Sequence, residues 1–178
     1  LDEKACYIFV SNHQSMADII LLPFVGVPYK CFAKTELFAV PFFGWSLSLH
    51  RHIRIRRGSL RGIAQAMKDA RYWIDRGMPV AFFAEGTRSR DGSLGQFKAG
   101  AFKLAIQTGT PIVPLAMKGT RDVLCKGSWM FNPNVRGSLV ILPPIETKGY
   151  EMSRLEELRD RTLSEIDRAL KTCESREK

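Results

Sequence analysis

The 178-residue sequence contains little cysteine and lacks any apolar run long enough to cross a bilayer. Its four cysteines are far apart and form no Cys-x-x-Cys pair, so they indicate neither zinc nor a redox dithiol, and free thiols fit a reducing compartment. The longest uncharged runs, 19–29 and 37–50, are interrupted by proline and glycine, whereas a spanning helix needs about 20 apolar residues. Internal repeats and low-complexity linkers are also missing.

What the sequence does contain is an ordinary globular composition with an unusual charge. Hydrophobic residues make up 45% and charged residues 25%, which is enough apolar material for a buried core. Lysine and arginine number 27 against 18 acidic residues, giving a net charge of +9. This excess indicates a partner that carries phosphate: a nucleic acid, an anionic lipid headgroup or a phosphorylated small molecule.

Short apolar runs alternate with helical patterns along the chain. Leu60, Ile63 and Met67 begin an apolar stripe at helical spacing, with Ser59 as N-cap and Gly77 as the stop. The other predicted helices are 18–24, 100–108 and 153–173, the last with a capping box of Ser153 and Glu156; the predicted strands are 5–10, 29–33, one within 46–55, 78–84, 111–117 and 138–142. This alternation predicts a single α/β domain over 1–178, with a mostly buried mixed sheet flanked by helices.

Polar residues directly after two of these strands are the first candidates for chemistry. His13 follows the first strand, and Asp18 lies in the turn of helix that comes next. A histidine can remove a proton from a hydroxyl near neutral pH, and a carboxylate can fix its tautomer. Taken alone, the pair more often means a loop histidine beside a helix-capping aspartate.

The segment Glu85-Gly86-Thr87-Arg88 follows another predicted strand. Gly86 would let the backbone approach a ligand, Thr87 offers a hydroxyl, and Arg88 can hold a phosphate through two hydrogen bonds. A strand-end turn with a solvated arginine is the alternative. In α/β folds, ligands gather where strands end, so both segments are expected at one edge of the sheet.

Taken together, the motifs resemble those of the 1-acylglycerol-3-phosphate (lysophosphatidic acid) acyltransferases, in the glycerolipid acyltransferase superfamily. The similarity runs from about residue 5 to 120 and rests on these segments in order: Asn12-His13-x-x-x-x-Asp18, 34–37 with Pro41, Gly44 and Arg57, 85–88, Phe97-Lys98-x-Gly100 and 111–114. Ala84 stands where the family usually has proline, and Arg56 where it often has aspartate. The resemblance implies a glycerolphosphate acyltransferase-like fold, and family members usually carry a membrane-associating segment before the first strand, which we expect to be missing here.

The resemblance also implies a reaction that belongs to phospholipid biosynthesis. His13, oriented by Asp18, would deprotonate the free hydroxyl of a lysophospholipid, and that oxygen would attack the thioester of acyl-CoA or acyl carrier protein. Neither a cofactor beyond the thioester co-substrate nor a metal ion is implied. Binding of the acceptor's phosphate would fall to Arg88, Arg57, Lys34 and Lys98, and placement of its glycerol part to Glu85, Gly86 and Thr87.

Three aromatic residues indicate contact with a membrane. Phe42, Phe43 and Trp45 lie in an uncharged stretch beside Pro41 and Gly44, which indicate a loop, and four arginines follow at 51–57. An apolar loop beside basic residues favours a lipid surface, so we expect a membrane-associated enzyme at the cytoplasmic face. The alternative is that these aromatics fill the core or line an acyl-chain tunnel.

Other functions remain open at this point. The acceptor could be a zwitterionic lysophospholipid, a lyso-ornithine lipid or glycerol 3-phosphate. A non-catalytic basic module that binds phosphate or nucleic acid would also explain the charge, although no recognition motif is present. A metal-assisted phosphoesterase using His13 and Asp18 would need further aspartate and histidine ligands.

Overall fold

The computed structural model describes residues 1–2, 4–89, 93–124 and 132–175. Six strands form one sheet: β1 (Ile8–Ser11), β2 (Lys30–Lys34), β3 (Ile53–Ile55), β4 (Val80–Phe83), β5 (Ile112–Lys118) and β6 (Ser138–Ile141). Their order is β3-β2-β4-β1-β5-β6, with β6 antiparallel to β5 and the other pairs parallel. The predicted α/β class with a mixed sheet is confirmed.

Burial on both faces explains why the central strands read as continuous apolar runs. All four residues of β1 are buried, and its neighbours β4 and β5 pair with it along its whole length. Ile8 and Val10 face one layer of helices, whereas Phe9 faces the opposite layer. The strand therefore has no solvated side, and its end at Ser11 is the first point where polar side chains emerge.

Helices cover both faces of the sheet. They are α1 (Asp18–Leu21), α2 (Phe43–Leu49), α3 (Leu60–Ile74), α4 (Gly100–Thr108), α5 (Thr120–Val123) and α6 (Leu155–Ser175). The predicted N-cap of α3 is confirmed, because the Ser59 hydroxyl accepts the N–H of Gly62 at 3.1 Å. Gly77 follows the end of α3 in the left-handed conformation, with φ of +75°.

Two local predictions were wrong. The stretch around Trp45 is not a loop but the helix α2, in which Gly44 and Leu47 are buried. Ser153 does not cap the final helix with Glu156, because it lies in a 3-10 turn, Met152–Arg154, and its hydroxyl donates to Glu151.

The sheet brings the two polar segments side by side. β1 and β4 are parallel neighbours in register, with Ser11 opposite Phe83. The residues after each strand therefore leave the sheet at the same edge. Asn12 extends the pairing on the other side, because its side-chain amide donates to the carbonyl of Met117 and accepts that residue's N–H, each at 2.8 Å.

Candidate active site

His13 and Asp18 meet as a buried pair at this edge. The Nδ1 atom of His13 lies 2.6 Å from Oδ2 of Asp18, whose side chain is fully buried. The same oxygen accepts the N–H groups of Gln14 at 2.8 Å and Ser15 at 2.9 Å. A carboxylate that already accepts two amides requires Nδ1 to be the donor, so the tautomer of the neutral imidazole has its lone pair on Nε2.

The imidazole ring is also held by packing. Its plane lies 23° from that of Phe83, with the ring centroids 4.1 Å apart. His13 is mostly buried and lines a cavity of about 710 Å³. The ring therefore has one fixed orientation, with Asp18 behind it.

The backbone of His13 is bonded to the segment that follows β4. Its N–H donates to Oε1 of Glu85 at 2.9 Å, and its carbonyl accepts the N–H of Ser89 at 2.8 Å. The other carboxylate oxygen of Glu85 accepts the N–H of Gly95 at 3.1 Å. Burial raises the pKa of Glu85, and the amides of His13 and Gly95 oppose that rise.

Three of the predicted phosphate-binding cations share the cavity with His13. Lys34, Arg57 and Arg88 all contribute to its wall, as does Thr87. Burial and then the positive charge of Arg88 lower the pKa of Arg57, which places the two guanidinium groups near each other. Neighbouring cations of this kind can bind an anionic group such as a phosphate.

Lys98 lies beside the cavity rather than on its wall. A Cβ atom built on Gly86 would lie 2.8 Å from both Cε and Nζ of Lys98, so this lysine crosses directly over the glycine. Gly86 also has φ of +72°, in the left-handed region that favours glycine. The backbone conformation of Gly86 is thus reason enough for it to lack a side chain, because the flexible end of Lys98 could move away from a Cβ atom.

Much of the cavity wall is apolar, and sequence reasoning did not identify these residues. Met16, Ile19, Leu37 and Leu47 contribute to it, together with Phe43 from the predicted aromatic trio. Nothing in their spacing distinguishes them from ordinary core positions. The one available signal was their closeness in sequence to His13 and Lys34.

The three aromatics predicted to touch a membrane separate into two groups. Phe42 and Trp45 are 78% and 59% exposed and contact each other, with ring centroids 5.0 Å apart. Phe43 is 36% exposed and lines the cavity. The membrane interpretation therefore fits Phe42 and Trp45, and the acyl-chain interpretation fits Phe43.

A cysteine also reaches the cavity, but it is a poor nucleophile. The Sγ atom of Cys31 lies 3.6 Å from Nδ1 of His52, a partner that the sequence separation concealed. Burial raises the pKa of Cys31 to about 12, so its thiol stays protonated near neutral pH. A covalent acyl-cysteine step is therefore disfavoured relative to direct attack by a hydroxyl.

Within the described parts of the chain, no group of three or more histidine, cysteine, aspartate or glutamate side chains could hold a metal ion. None of the helices described is both long and apolar enough to cross a bilayer.

Comparison with known proteins matches this arrangement to a family. The family model described as acyltransferase matches residues 1–118, which include β1 to β5 and every predicted site residue. The chain belongs to the acyltransferase family. This acyltransferase is 41% identical over 121 residues to the chloroplastic 1-acyl-sn-glycerol-3-phosphate acyltransferase BAT2 of Brassica napus, a match that covers 68% of the chain. It is 35% identical over 166 residues, or 87% of the chain, to 1-acyl-sn-glycerol-3-phosphate acyltransferase alpha of Bos taurus.

A solved structure shows the same fold. The crystal structure of the 1-acyl-sn-glycerophosphate acyltransferase PlsC from Thermotoga maritima superimposes with a TM-score of 0.74 and 31% sequence identity, covering 92% of this chain and 67% of that one. Both the predicted resemblance and the predicted fold are confirmed. The chain spans about a third of the length of the Brassica relative and about half of the bovine one, with matches covering 35% and 54% of them.

Proposed function

We propose that this acyltransferase moves a fatty acyl group from an acyl thioester to the free hydroxyl of lysophosphatidic acid, giving phosphatidic acid. The observation that carries the proposal is one cavity that holds a buried His13–Asp18 pair, the cations Arg57 and Arg88, and an apolar wall. The pair can act as a general base, the cations can bind a phosphate, and the apolar wall can hold an acyl chain. The names of the Brassica, bovine and Thermotoga relatives support the same acceptor.

The reaction follows from the tautomer of His13. Its Nε2 atom takes the proton of the acceptor hydroxyl as the oxygen attacks the thioester carbonyl carbon. The buried charge of Asp18 stabilises the imidazolium that forms. When the tetrahedral intermediate collapses, the C–S bond breaks, and the departing thiolate takes the proton from His13. The reaction yields an ester and a free thiol, with no covalent enzyme intermediate.

The cations would bind the acceptor's phosphate. Arg57 and Arg88 lie close enough for the charge of one to affect the other, and a phosphate between them would relieve that repulsion. Lys34 on the cavity wall and Lys98 across Gly86 would add charge, and the exposed Thr87 would offer its hydroxyl to the glycerol part. Zwitterionic lysolipids would bind less well, because they carry a positive group near the phosphate.

The donor and the location complete the proposal. Acyl-CoA or acyl carrier protein would deliver the thioester, with no other cofactor and no metal ion. Phe42 and Trp45, exposed on and beside α2, would enter the lipid interface at the cytoplasmic face, and the exposed Arg51 and Arg54 follow α2 in the sequence. The acceptor, itself a membrane lipid, would then lie close to the cavity that Phe43 lines.

An acyl-transfer assay with a panel of substrates tests this function. Labelled acyl-CoA and acyl carrier protein would each be offered with lysophosphatidic acid, a zwitterionic lysophospholipid, a lyso-ornithine lipid and glycerol 3-phosphate, with and without a chelator. We expect ester formation with lysophosphatidic acid in both chelator conditions. His13→Ala should lose it, whereas the matched His50→Ala, an exposed histidine at the end of α2, should keep it.

A different result would replace the proposal. Preference for another acceptor would change the substrate but keep the chemistry. No transfer to any acceptor, together with tight binding of nucleic acid, would favour a non-catalytic basic module.

A further inference from the structure

We propose that Glu85 positions the general base instead of binding the acceptor. The carboxylate holds the peptide N–H of His13 on one side and the loop at Gly95 on the other, which fixes the backbone from which the imidazole projects. The role given to His13 rests on the function proposed above. The role given to Glu85 is a separate claim about contacts within the protein.

Glu85 lines the cavity, but both of its carboxylate oxygens are bonded to the main chain. Its side chain is buried, with the residue 9% exposed, and each of its oxygens accepts one main-chain amide. The ionised carboxylate can accept both N–H groups, and the amides of His13 and Gly95 oppose the rise in the pKa of Glu85 that burial causes. The two amides hold the carboxylate in one position. A carboxylate that only bound a mobile glycerol hydroxyl would not need to be fixed in this way.

Gly95 leaves the space that Glu85 occupies. A Cβ atom at this position would lie 2.8 Å from Oε2 of Glu85, closer than real Cβ atoms approach. The φ of Gly95 does not fall in the left-handed region, so its lack of a side chain is explained by this contact rather than by backbone conformation. The glycine and the glutamate are thus fitted to each other.

Glu85 and Gly95, with Ser89, form a clamp on the backbone of His13, the proposed general base. With the Ser89 N–H on its carbonyl, His13 has both its peptide groups bonded to the segment after β4, while Asp18 holds its ring. A general base must lie about 2.6–3.2 Å from the proton it removes. A displacement of about 1 Å can lower the rate by about 10²-fold, so a shift of the His13 backbone would slow transfer without weakening either substrate.

Two variants disturb the clamp in different ways. Glu85→Gln keeps one acceptor oxygen but turns an NH₂ group towards the second amide. Gly95→Ala leaves Glu85 unchanged and pushes its carboxylate aside. In both we expect kcat to fall about tenfold to a hundredfold, with the acceptor and donor KM values within about threefold of wild type. The matched control is Gly100→Ala, whose Cβ would meet only Met67 at an ordinary 3.6 Å and which should keep wild-type kinetics.

The hydrogen-exchange rate of the His13 amide measures the strength of its bond to Glu85 without any assay of activity. We expect faster exchange of this amide in Glu85→Gln and Gly95→Ala than in wild type or Gly100→Ala, with melting temperatures within a few degrees. If one variant fails to fold, the other carries the test. A wild-type protein that shows the slow exchange but transfers no acyl group would refute the proposed function and leave the clamp intact.

Three results would overturn the role of Glu85. One is a rise in acceptor KM with kcat preserved, which is the behaviour expected if the carboxylate binds the glycerol hydroxyl. The second is wild-type kcat in both folded variants. The third is an unchanged exchange rate at His13 in both.

Discussion

At the scale of single residues, the reaction proposed above gives the two members of the His13–Asp18 pair unequal roles. We predict that His13→Ala lowers kcat about 10²- to 10⁴-fold, because a general base contributes about that much. Asp18→Asn should leave measurable activity, since Asp18 orients and stabilises the imidazole but takes no proton itself. Single-turnover rates with saturating substrates check both, and melting curves confirm that each variant folds. Near-normal turnover in folded His13→Ala would contradict the assignment of the base.

The paired guanidinium groups should act on one substrate only. We predict that Arg57→Ala and Arg88→Ala each raise the acceptor KM about tenfold to a hundredfold, because a charge-assisted hydrogen bond contributes about 1.5–3 kcal/mol. The donor KM should change little. Arg61→Ala, an exposed arginine on α3, is the matched control. Equal effects on donor and acceptor would place the phosphate site elsewhere.

The sequence predicted these residues better than it predicted their contacts. His13 and Glu85 could be found because each follows a buried strand, and parallel strands end at one edge of a sheet. Their hydrogen bond could not be found, because 72 residues separate them and the bond joins a side chain to a peptide N–H. The family motif alone implies that Glu85 places the glycerol part of the substrate, whereas in the structure its two oxygens accept main-chain N–H groups.

At the scale of elements, α2 connects the cavity with the surface. We predict that Phe42→Ser with Trp45→Ser reduces sedimentation with anionic vesicles severalfold at an unchanged melting temperature. Burying one large apolar side chain contributes about 1.5–3 kcal/mol, and these two are already exposed in the folded protein. Tyr72→Ser, which removes an exposed aromatic from α3, should bind vesicles like wild type. Undiminished binding by the double variant would contradict the interfacial role.

Phe43 in the same helix should behave differently. Because it lines the cavity, Phe43→Ser is expected to change the preferred acyl-chain length more than vesicle binding. Competition between donors of different chain length measures this. Reduced vesicle binding with an unaltered chain preference would show that Phe43 contacts the membrane, like Phe42 and Trp45.

This element also shows why the sequence prediction of a loop failed. Proline and glycine at 41 and 44 are common loop residues, and the prediction of a loop rested on them. In the structure, Gly44 lies inside α2, where a Cβ atom would overlap the carbonyl of Phe38. The glycine permits close packing of two segments, a tertiary requirement that leaves no local signal.

At the scale of the whole molecule, the net charge of +9 should govern attraction to lipid more than the choice of substrate. We predict that sedimentation with anionic vesicles falls strongly as ionic strength rises from about 0.01 M to about 1 M, since the Debye length shrinks from roughly 30 to 3 Å. Zwitterionic vesicles should retain a small, salt-insensitive fraction through Phe42 and Trp45. Salt-independent binding to anionic vesicles would show that apolar contacts alone suffice.

The Asn12 side chain has a consequence for which substitutions the fold can accept. Its side-chain NH₂ donates to the Met117 carbonyl and its oxygen accepts the Met117 N–H, so the side chain continues the pairing with β5 after β1 has ended. Aspartate has the same shape but would set an oxygen against the Met117 carbonyl, and leucine would leave both peptide groups unpaired. Position 12 is therefore constrained by hydrogen-bond polarity rather than by size, and a search for distant relatives should give it weight because of its role in the sheet.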